Sequence, residues 1–280
     1  MNVLKDVIHK IFLILGFKLI GRKELVKHNS FDAIHKFIFA NFFNNKKELV
    51  IFDVGANDGS SIKRFLKRFP ESSIYAFEPT KHLFDKIYKQ FHSDKIKVFD
   101  YAIGESEENR DFYHHDYHEI NSFYPMIDNS KYKIQRTKKI NENEILKSKV
   151  QVIKIDSFVK KNNVKNIDIL KIDTQGAEAE VLAGASEILN NKKVQIIELE
   201  HILGFAHKIE SSFFKLERVL NKNKYKLIAI EHADNIISFS NYQTNLIYVT
   251  EKIYDQIRQL HEKNIDIKDV TYSVKHFSKL

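Results

Sequence analysis

The sequence contains no cysteine among its 280 residues, which excludes disulfides, thiolate metal sites and a cysteine nucleophile. Long apolar runs are also missing. The longest near the N-terminus, from Ile11 to Phe17, has seven residues, whereas a membrane span needs about 20. We find no A-x-A-like cleavage site of a signal peptide after it. We therefore expect a soluble protein of the cytoplasm, a compartment that keeps thiols reduced.

Arginine is scarce, although the chain is basic. The net charge is +8, yet only seven of the 45 basic residues are arginine, the side chain best shaped to bind bases and phosphates. Residues 1–48 carry +5 of this charge, and the other 232 residues carry only +3. We expect no nucleic-acid partner.

The first 48 residues are predicted to form a helical extension. Apolar residues recur at three- and four-residue spacing from Val3 to Leu15, and a second helix is predicted to begin after Ser30, a favoured N-cap residue. These helices either pack on the main domain, or the first makes a weak peripheral contact with a membrane surface or a partner. Residues 251–280 are predicted to form a helical tail.

From Leu49 onward, short apolar strands alternate with amphipathic helices. Strands buried on both faces with helices between them predict an α/β fold with a doubly wound, mostly parallel sheet. The last two strands are joined without a helix, so we expect an antiparallel edge strand. Residues 49–250 thus form one domain, in which residues 104–150 are an irregular insertion. The predicted strands cover residues 49–54, 73–78, 96–103, 167–173, 194–200, 225–231 and 245–250.

The loop after the first strand is the first candidate for a ligand site. It runs from Asp53 through Gly55 and Asn57 to Gly59, and these residue types permit a tight turn that a ligand can approach closely. Ligands of such sheets bind at the carboxyl ends of the strands. Glu78 ends the second strand, where its carboxylate would accept both hydroxyls of a ribose. A nucleoside-containing cofactor is the prediction.

The charge of the loop discriminates among cofactors. A dinucleotide site requires G-x-G-x-x-G, but Asn57 stands where the second glycine would be, and Asp53 would repel a diphosphate. The same carboxylate suits the ammonium and sulfonium of S-adenosylmethionine, which has no phosphate. We therefore predict S-adenosylmethionine, and a nicotinamide or flavin cofactor or a purely structural turn are the alternatives.

Five segments together resemble the FkbM family of S-adenosylmethionine-dependent methyltransferases: FDVGANDGSS, AFEPT, YAIGE, ILKIDTQGAEAEVLAGA and IIELE. They occur in order between Val50 and Glu200. The resemblance implies a Rossmann-like class I methyltransferase fold, and usually methyl transfer to a hydroxyl of a glycan or natural product. It also implies that Glu78 holds the ribose and that Asp100 and Ala102 flank the adenine. The residues that it implies for the methionine end, with the neighbouring loop residue that we add, are Asp53, Gly55, Ala56, Asn57 and Gly59.

Methyl transfer is an in-line displacement, for which the enzyme must align the acceptor oxygen and remove its proton. Asp173 ends a central strand, and His201 follows the next one, so both are predicted as catalytic residues. The alternatives are a helix cap for Asp173 and an ordinary loop residue for His201. Glu178 lies in the first turn of a helix, where an acid is favourable for structural reasons alone.

The loop at Asp173 also excludes a class of enzyme. Methyltransferases of nucleobase amines usually place an Asn/Asp-Pro-Pro-aromatic motif here, and this loop has no proline. Residues 104–150 are the expected acceptor region, because aromatic residues cluster between Phe112 and Tyr132 and aromatic faces stack on sugars. The family places a Ser facing the site near Ser122. We predict no metal, since the adjacent acids and histidines of residues 114–119 cannot all point one way.

The sequence thus predicts an O-methyltransferase that acts on a glycan or glycan-like small molecule. Two alternatives remain: an inactive accessory protein of the same fold that binds cofactor or glycan, and an N-methyltransferase of an amino sugar or natural product. The motifs DVGAN and KIDTQGAE show no loss of their functional residue types, which favours an enzyme.

Overall fold

A computed structural model of the chain describes residues 31–115, 118–125, 146–202, 213–232 and 243–262. The predicted helix over residues 3–15 and the end of the predicted C-terminal tail lie outside these residues. Within them, no helix has the length and apolar character that crossing a membrane requires.

The described elements alternate as the sequence predicts. The strands are β1 (Val50–Val54), β2 (Ser73–Phe77), β3 (Ile96–Phe99), β4 (Ala102–Ile103), β5 (Glu108–His114), β6 (Leu146–Ile153), β7 (Ile167–Ile172), β8 (Val194–Ile202), β9 (Tyr225–His232) and β10 (Gln243–Thr250). The helices are α1 (Phe31–Phe42), α2 (Ser60–Arg68), α3 (Lys81–Phe91), α4 (Ile155–Lys161), α5 (Glu178–Ala183), α6 (Ser186–Asn190), α7 (Phe213–Lys222) and α8 (Glu251–Glu262).

In the described part of the chain, seven strands form the main sheet in the order β3-β2-β1-β7-β8-β10-β9. All pair in parallel except β10, which is antiparallel to both β8 and β9. This confirms the doubly wound, mostly parallel α/β fold. The antiparallel strand lies one place in from the edge, because β10 inserts between β8 and β9. The strand order reverses between β1 and β7, and such a switch in chain direction is where these sheets bind ligands.

The central strands are apolar throughout because helices cover both faces of the sheet. Neighbouring residues of β1 point to opposite faces of the sheet. Ile51 packs on the face covered by α1 and α2, whereas Phe52 packs on the face covered by α4, α5 and α7. Ile62 and Phe65 of α2 are fully buried against the first face. These two apolar layers hold the carboxyl ends of the strands in register.

The prediction that residues 104–150 form an irregular insertion is wrong in part. The strand predicted over residues 96–103 divides into β3 and β4, and β4, β6 and β5 form a second sheet. Residues of β5 are mostly polar and only partly buried, so the strand has no apolar pattern by which the sequence would reveal it. The helix predicted after Gly176 is also divided, into α5 and α6, at Gly184.

Candidate active site

An open cavity lies at the carboxyl ends of β1, β2 and β7, beside the switch in chain direction, and its empty space is about 540 Å³ with the part open to solvent included. The second sheet and the turn at His118–Ile120 form the opposite wall. The lining residues are Val54, Gly55, Asn57, Phe77, Glu78, Pro79, Tyr101, Ala102, Ile103, Phe112, His118, Glu119, Asn121, Phe123, Asp173, Thr174 and Gln175.

The loop after β1 passes very close to the end of β7. Gly55 has φ +79°, and a Cβ added there would lie 1.9 Å from the carbonyl oxygen of Asp173. Asn57 also has a left-handed backbone, with φ +50°. The N–H groups of Gly55 and Ala56 donate to the carbonyl of Phe77, at 3.1 and 3.0 Å. The predicted tight turn is therefore confirmed, and it places Gly55 and Asn57 on the cavity wall.

Glu78 links this loop to β2. Its Oε2 accepts a hydrogen bond from the N–H of Asn57, and its Oε1 accepts one from the N–H of Thr80, both at 2.8 Å. Burial raises the pKa of Glu78, and the two amide hydrogen bonds oppose that rise. Each carboxylate oxygen has a further lone pair, so Glu78 retains acceptor capacity on the cavity wall. Its predicted contact with the ribose hydroxyls fits this geometry.

Asp53 lies beneath the cavity and does not line it. Its side chain is fully buried, with Oδ1 3.2 Å from Nζ of Lys171 and Oδ2 accepting a hydrogen bond from Ser61. The contact of Asp53 with the cofactor therefore stays a prediction. The acidic character of the described lining comes instead from Glu78, Glu119 and Asp173, and no Lys or Arg of the described chain lines the cavity. This lining suits a cation and disfavours a diphosphate.

Asp173 lies on the cavity wall, where it faces Gly55 across the switch point. Its Oδ1 accepts a hydrogen bond from Nε2 of Gln175 at 3.0 Å, and its Oδ2 lies 3.4 Å from Nζ of Lys171. Burial alone would raise the pKa of Asp173, but the charge of Lys171 and hydrogen bonds from Glu200 and Gln175 outweigh it and lower that pKa. Asp173 is therefore ionised at neutral pH.

Glu200 forms a carboxyl pair with Asp173. The side-chain amide of Gln175 donates to both, with 2.6 Å between Nε2 and Oε2 of Glu200. Burial, together with the neighbouring charge of Asp173, strongly raises the pKa of Glu200. At neutral pH Glu200 is protonated and donates a hydrogen bond to the Asp173 carboxylate, because two like charges so close cannot both ionise.

His201 and Glu178 lie away from the cavity lining. Successive residues of a strand face opposite sides, so Glu200 faces Asp173 while His201 faces α7, with its ring centroid 6.2 Å from that of Phe213. Burial lowers the pKa of His201 to about 4, and its catalytic role stays a prediction. Glu178 is buried and accepts from the N–H groups of Thr174 and Gly176, a structural role in the turn, while burial raises its pKa to about 7.

The remaining predicted site residues separate into two groups. Ala102 lines the cavity beside Tyr101, at the position predicted for the adenine. Asp100 is exposed, and neither it nor Ala56 nor Gly59 lines the cavity, so their roles stay predictions. The described residues contain no cluster of three or more metal-ligating side chains.

The aromatic residues of the insertion contribute to the cavity in part. Phe112 and Phe123 line it and pack against each other edge to face, with ring centroids 5.6 Å apart. Tyr117 and Tyr132 lie outside the described residues. Ser122 is fully buried behind this wall, where its hydroxyl donates to the carbonyl of Gln175 at 2.8 Å.

Sequence reasoning missed Lys171, Gln175 and Glu200. A signal for two of them was present, because a charged residue within an otherwise apolar buried strand needs a specific partner. Lys171 interrupts ILKID, and Glu200 ends IIELE. The sequence does not show which partner each meets, since that depends on the sheet order.

The residues present fit S-adenosylmethionine. Oδ1 of Asn57 and Oε1 of Gln175 are buried acceptors on the cavity wall that have no hydrogen-bond partner among the described residues. Buried acceptors of this kind require donors, and the ammonium and ribose hydroxyls of S-adenosylmethionine are donors. Because Gly55 has no Cβ, the loop can approach the Asp173 backbone and bring Asn57 to the same cavity wall.

Comparisons with known proteins agree with this geometry. The family model described as the methyltransferase FkbM domain matches residues 53–249. The 2-O-methyltransferase NoeI of Sinorhizobium fredii (strain NBRC 101917 / NGR234) is 25% identical over 158 residues, which are 53% of this chain and 62% of that protein, less than two thirds of its length. Methyltransferase 1 of Beauveria bassiana (strain ARSEF 2860) is 22% identical over 203 residues, 66% of this chain and 74% of that protein.

Among solved structures, magnesium protoporphyrin IX methyltransferase (ChlM) from Synechocystis PCC 6803 with bound SAM aligns at 10% identity and a TM-score of 0.42. The alignment covers 88% of this chain and 96% of that one. The family match itself spans more than half of the chain, including the loop after β1 and the strand of Asp173. The chain therefore belongs to the FkbM family, and residues 53–249 are its methyltransferase domain.

Proposed function

We propose that this enzyme methylates a hydroxyl group of a glycan or glycan-like small molecule, and that Asp173 accepts the hydroxyl proton. The observation that carries the proposal is the ionised carboxylate of Asp173 on the wall of the cavity that also contains Gly55, Asn57 and Glu78. When bound, S-adenosylmethionine supplies an activated methyl group on a thioether leaving group.

Each group of the site has a separate task in this proposal. Glu78 and Asn57 would hold the cofactor by accepting hydrogen bonds from its hydroxyl and ammonium groups. Asp173 orients the acceptor hydroxyl by accepting its hydrogen bond, then takes the proton as the oxygen attacks. Glu200, already protonated, holds Asp173 in place with a hydrogen bond. The other lone pairs of the Asp173 carboxylate remain available to the acceptor hydroxyl.

The opposite wall supports a sugar as the acceptor. The aromatic residues Phe112 and Phe123 line this wall, and aromatic faces can stack on the apolar side of a sugar ring. Asn121 and Glu119 add polar groups to the same wall. Similarity to NoeI, named a 2-O-methyltransferase, agrees with transfer to oxygen. A cytoplasmic location is part of the proposal, in keeping with a chain that has no cysteine.

The test combines an acceptor panel with matched variants. Purified enzyme and radiolabelled S-adenosylmethionine are incubated with methyl glycosides and with the matching 2-amino-2-deoxy glycosides. We expect label to enter the hydroxyl compounds. Label in the amino sugars alone, at nitrogen, would replace the proposal with N-methylation, and S-adenosylhomocysteine binding without transfer to any glycoside would contradict a glycan acceptor.

The role of Asp173 is tested with Asp173→Asn, which should bind S-adenosylhomocysteine but lose turnover by about 10²- to 10⁴-fold, the usual contribution of a general base. Asp168→Asn is the control, since Asp168 is a buried acid at the opposite end of β7 that pairs with Lys46. It should retain turnover. Full activity of Asp173→Asn would exclude Asp173 as the base.

A further inference from the structure

We propose that Lys171 is a positioning residue that fixes the cofactor loop to Asp173 and so sets the geometry and charge of the cofactor site. This role rests on the family's cofactor and does not depend on the identity of the acceptor. Lys171 does not line the cavity, so it acts through the residues that do.

The sheet register places Lys171 at the switch in chain direction. It lies directly beside Asp53 of β1 and Glu198 of β8, so the three side chains share one face of the sheet. Only 11% of the Lys171 side chain is exposed. A lysine buried to this degree is rare and needs specific partners.

The ammonium of Lys171 contacts three oxygen atoms. Its Nζ donates hydrogen bonds to the carbonyl oxygen of Gly55 at 3.2 Å and to Oδ2 of Asp173 at 3.4 Å, and it forms an ion pair with Oδ1 of Asp53 at 3.2 Å. The first oxygen belongs to the cofactor loop and the second to the proposed base. A single side chain therefore joins the two walls of the cavity that meet at the switch point.

Lys171 is also the cation that balances this acidic region. Burial alone would lower the pKa of Lys171, but the charges of Asp53, Asp173 and Glu198 outweigh burial and raise it. Lys171 is charged throughout the physiological range, and Arg64 supplies a second cation that pairs with Glu198. The described groups that face Asp173 and Lys171 from the packed elements are Asp53 of β1, Glu198 and Glu200 of β8, Gln175 of the loop and Glu178 of α5.

Loss of this charge would have two separable effects. The Gly55 carbonyl would lose its donor, which loosens the loop that carries Asn57. Asp173 would lose the neighbouring cation, and an opposite charge at this distance typically lowers a carboxyl pKa by about one to three units. The pKa of Asp173 should therefore rise by a similar amount.

The experiment compares Lys171→Met with Lys46→Met in the full chain. Lys46 is the matched control, because its Nζ lies 2.7 Å from Oδ2 of Asp168, at the other end of β7 and far from the cavity. The first readout is the affinity for S-adenosylhomocysteine by calorimetry, and the second is the pH at which that affinity falls on acidification. S-adenosylhomocysteine carries an ammonium group, so protonation of a lining carboxylate weakens its binding.

We expect Lys171→Met to bind S-adenosylhomocysteine at least 10-fold more weakly, with the acid-side midpoint raised by about one to three pH units. Hydrogen exchange of the amides over residues 54–59 should accelerate in the same variant. Lys46→Met should match the wild type in all three measurements. A folded Lys171→Met protein with wild-type affinity, midpoint and exchange would overturn the proposal.

If Lys171→Met does not fold, the double variant Lys171→Met with Asp53→Asn removes one positive and one negative charge together and is measured against Asp53→Asn alone. The same three readouts apply, and an unchanged midpoint again overturns the proposal. None of them requires methyl transfer, so failure to find a glycan acceptor leaves the result on Lys171 intact.

Discussion

The close approach of Gly55 to Asp173 allows a quantitative prediction for Gly55→Ala. A Cβ at this position would lie 1.9 Å from the Asp173 carbonyl oxygen, so the two backbones must separate by more than 1 Å to reach 3.0 Å. The φ of +79° adds a cost of about 1–2 kcal/mol for an L-residue. Overpacking of a well-packed site costs about 1–3 kcal/mol. We expect the free energy of unfolding to fall by about 2–5 kcal/mol, the sum of these two costs.

Gly184→Ala separates the steric cost from the effect on the site. Its Cβ would lie 2.0 Å from the carbonyl oxygen of Gly104, a nearly identical clash, but Gly184 has an ordinary φ of −70° and does not line the cavity. We expect this variant to lose about 1–3 kcal/mol of stability. It should keep its affinity for S-adenosylhomocysteine.

The assay pairs urea denaturation with calorimetric titration of S-adenosylhomocysteine. Gly55 and Asp173 form two walls of one cavity, so their separation in Gly55→Ala should weaken binding at least 10-fold, or about 1.4 kcal/mol. Equal loss of affinity in both variants would mean that binding follows global stability. A folded Gly55→Ala protein with wild-type affinity would refute the assignment of this loop to the cofactor.

Two further predictions concern Glu78 and His201. Glu78→Ala should lower stability by about 1–3 kcal/mol for each of the two backbone amides that lose their acceptor. It should also weaken S-adenosylhomocysteine binding by about 1.5–3 kcal/mol, because the charge-assisted bonds to the ribose are lost. Unchanged affinity in calorimetry would exclude that contact. The pKa of His201 is lowered to about 4, so the wild type should lose stability as pH falls from about 6.5 to 4, by at most about 3.4 kcal/mol. In urea titrations across that range, His201→Leu should lose less stability with falling pH than the wild type does. An unchanged dependence of stability on pH would contradict a neutral buried imidazole. The variant should keep full turnover if His201 is not catalytic, and lost turnover in a folded variant would support the predicted catalytic role.

The main fold was predictable because its signal is local. Buried parallel strands are continuous apolar runs, and the helices between them bury one apolar face, so the order of elements can be read from the sequence. The second sheet was not predictable, since β5 is mostly polar and is defined by its pairing with β6, about forty residues later. The need for glycine at position 184, where the predicted helix divides, is likewise not local, because a Cβ there would lie 2.0 Å from the carbonyl oxygen of Gly104.

The part of the candidate site that a backbone turn and a strand end determine was predictable from the sequence. Gly55, Asn57 and Glu78 are determined by a turn and by the end of one strand, and the structure places all three on the cavity wall. The position of Asp53 was not predictable, because its orientation depends on Lys171, which is distant in sequence but adjacent in the sheet. For Glu200 and His201, the alternation of side chains along a strand predicts that only one of them faces Asp173, but the sequence does not show which.

The charge preference of the site follows from how its acids are balanced. Ionisation of both Asp173 and Glu200 within one buried region would be prohibitive, since each lost hydration shell must be replaced. Lys171 compensates Asp53 and Asp173, and Glu200 keeps its proton. Asp173 thus remains the ionised member that reaches the cavity. A cation bound in the cavity is attracted by the Asp173 carboxylate. A diphosphate would be repelled by it, because no Lys or Arg on the described wall offsets the negative charge.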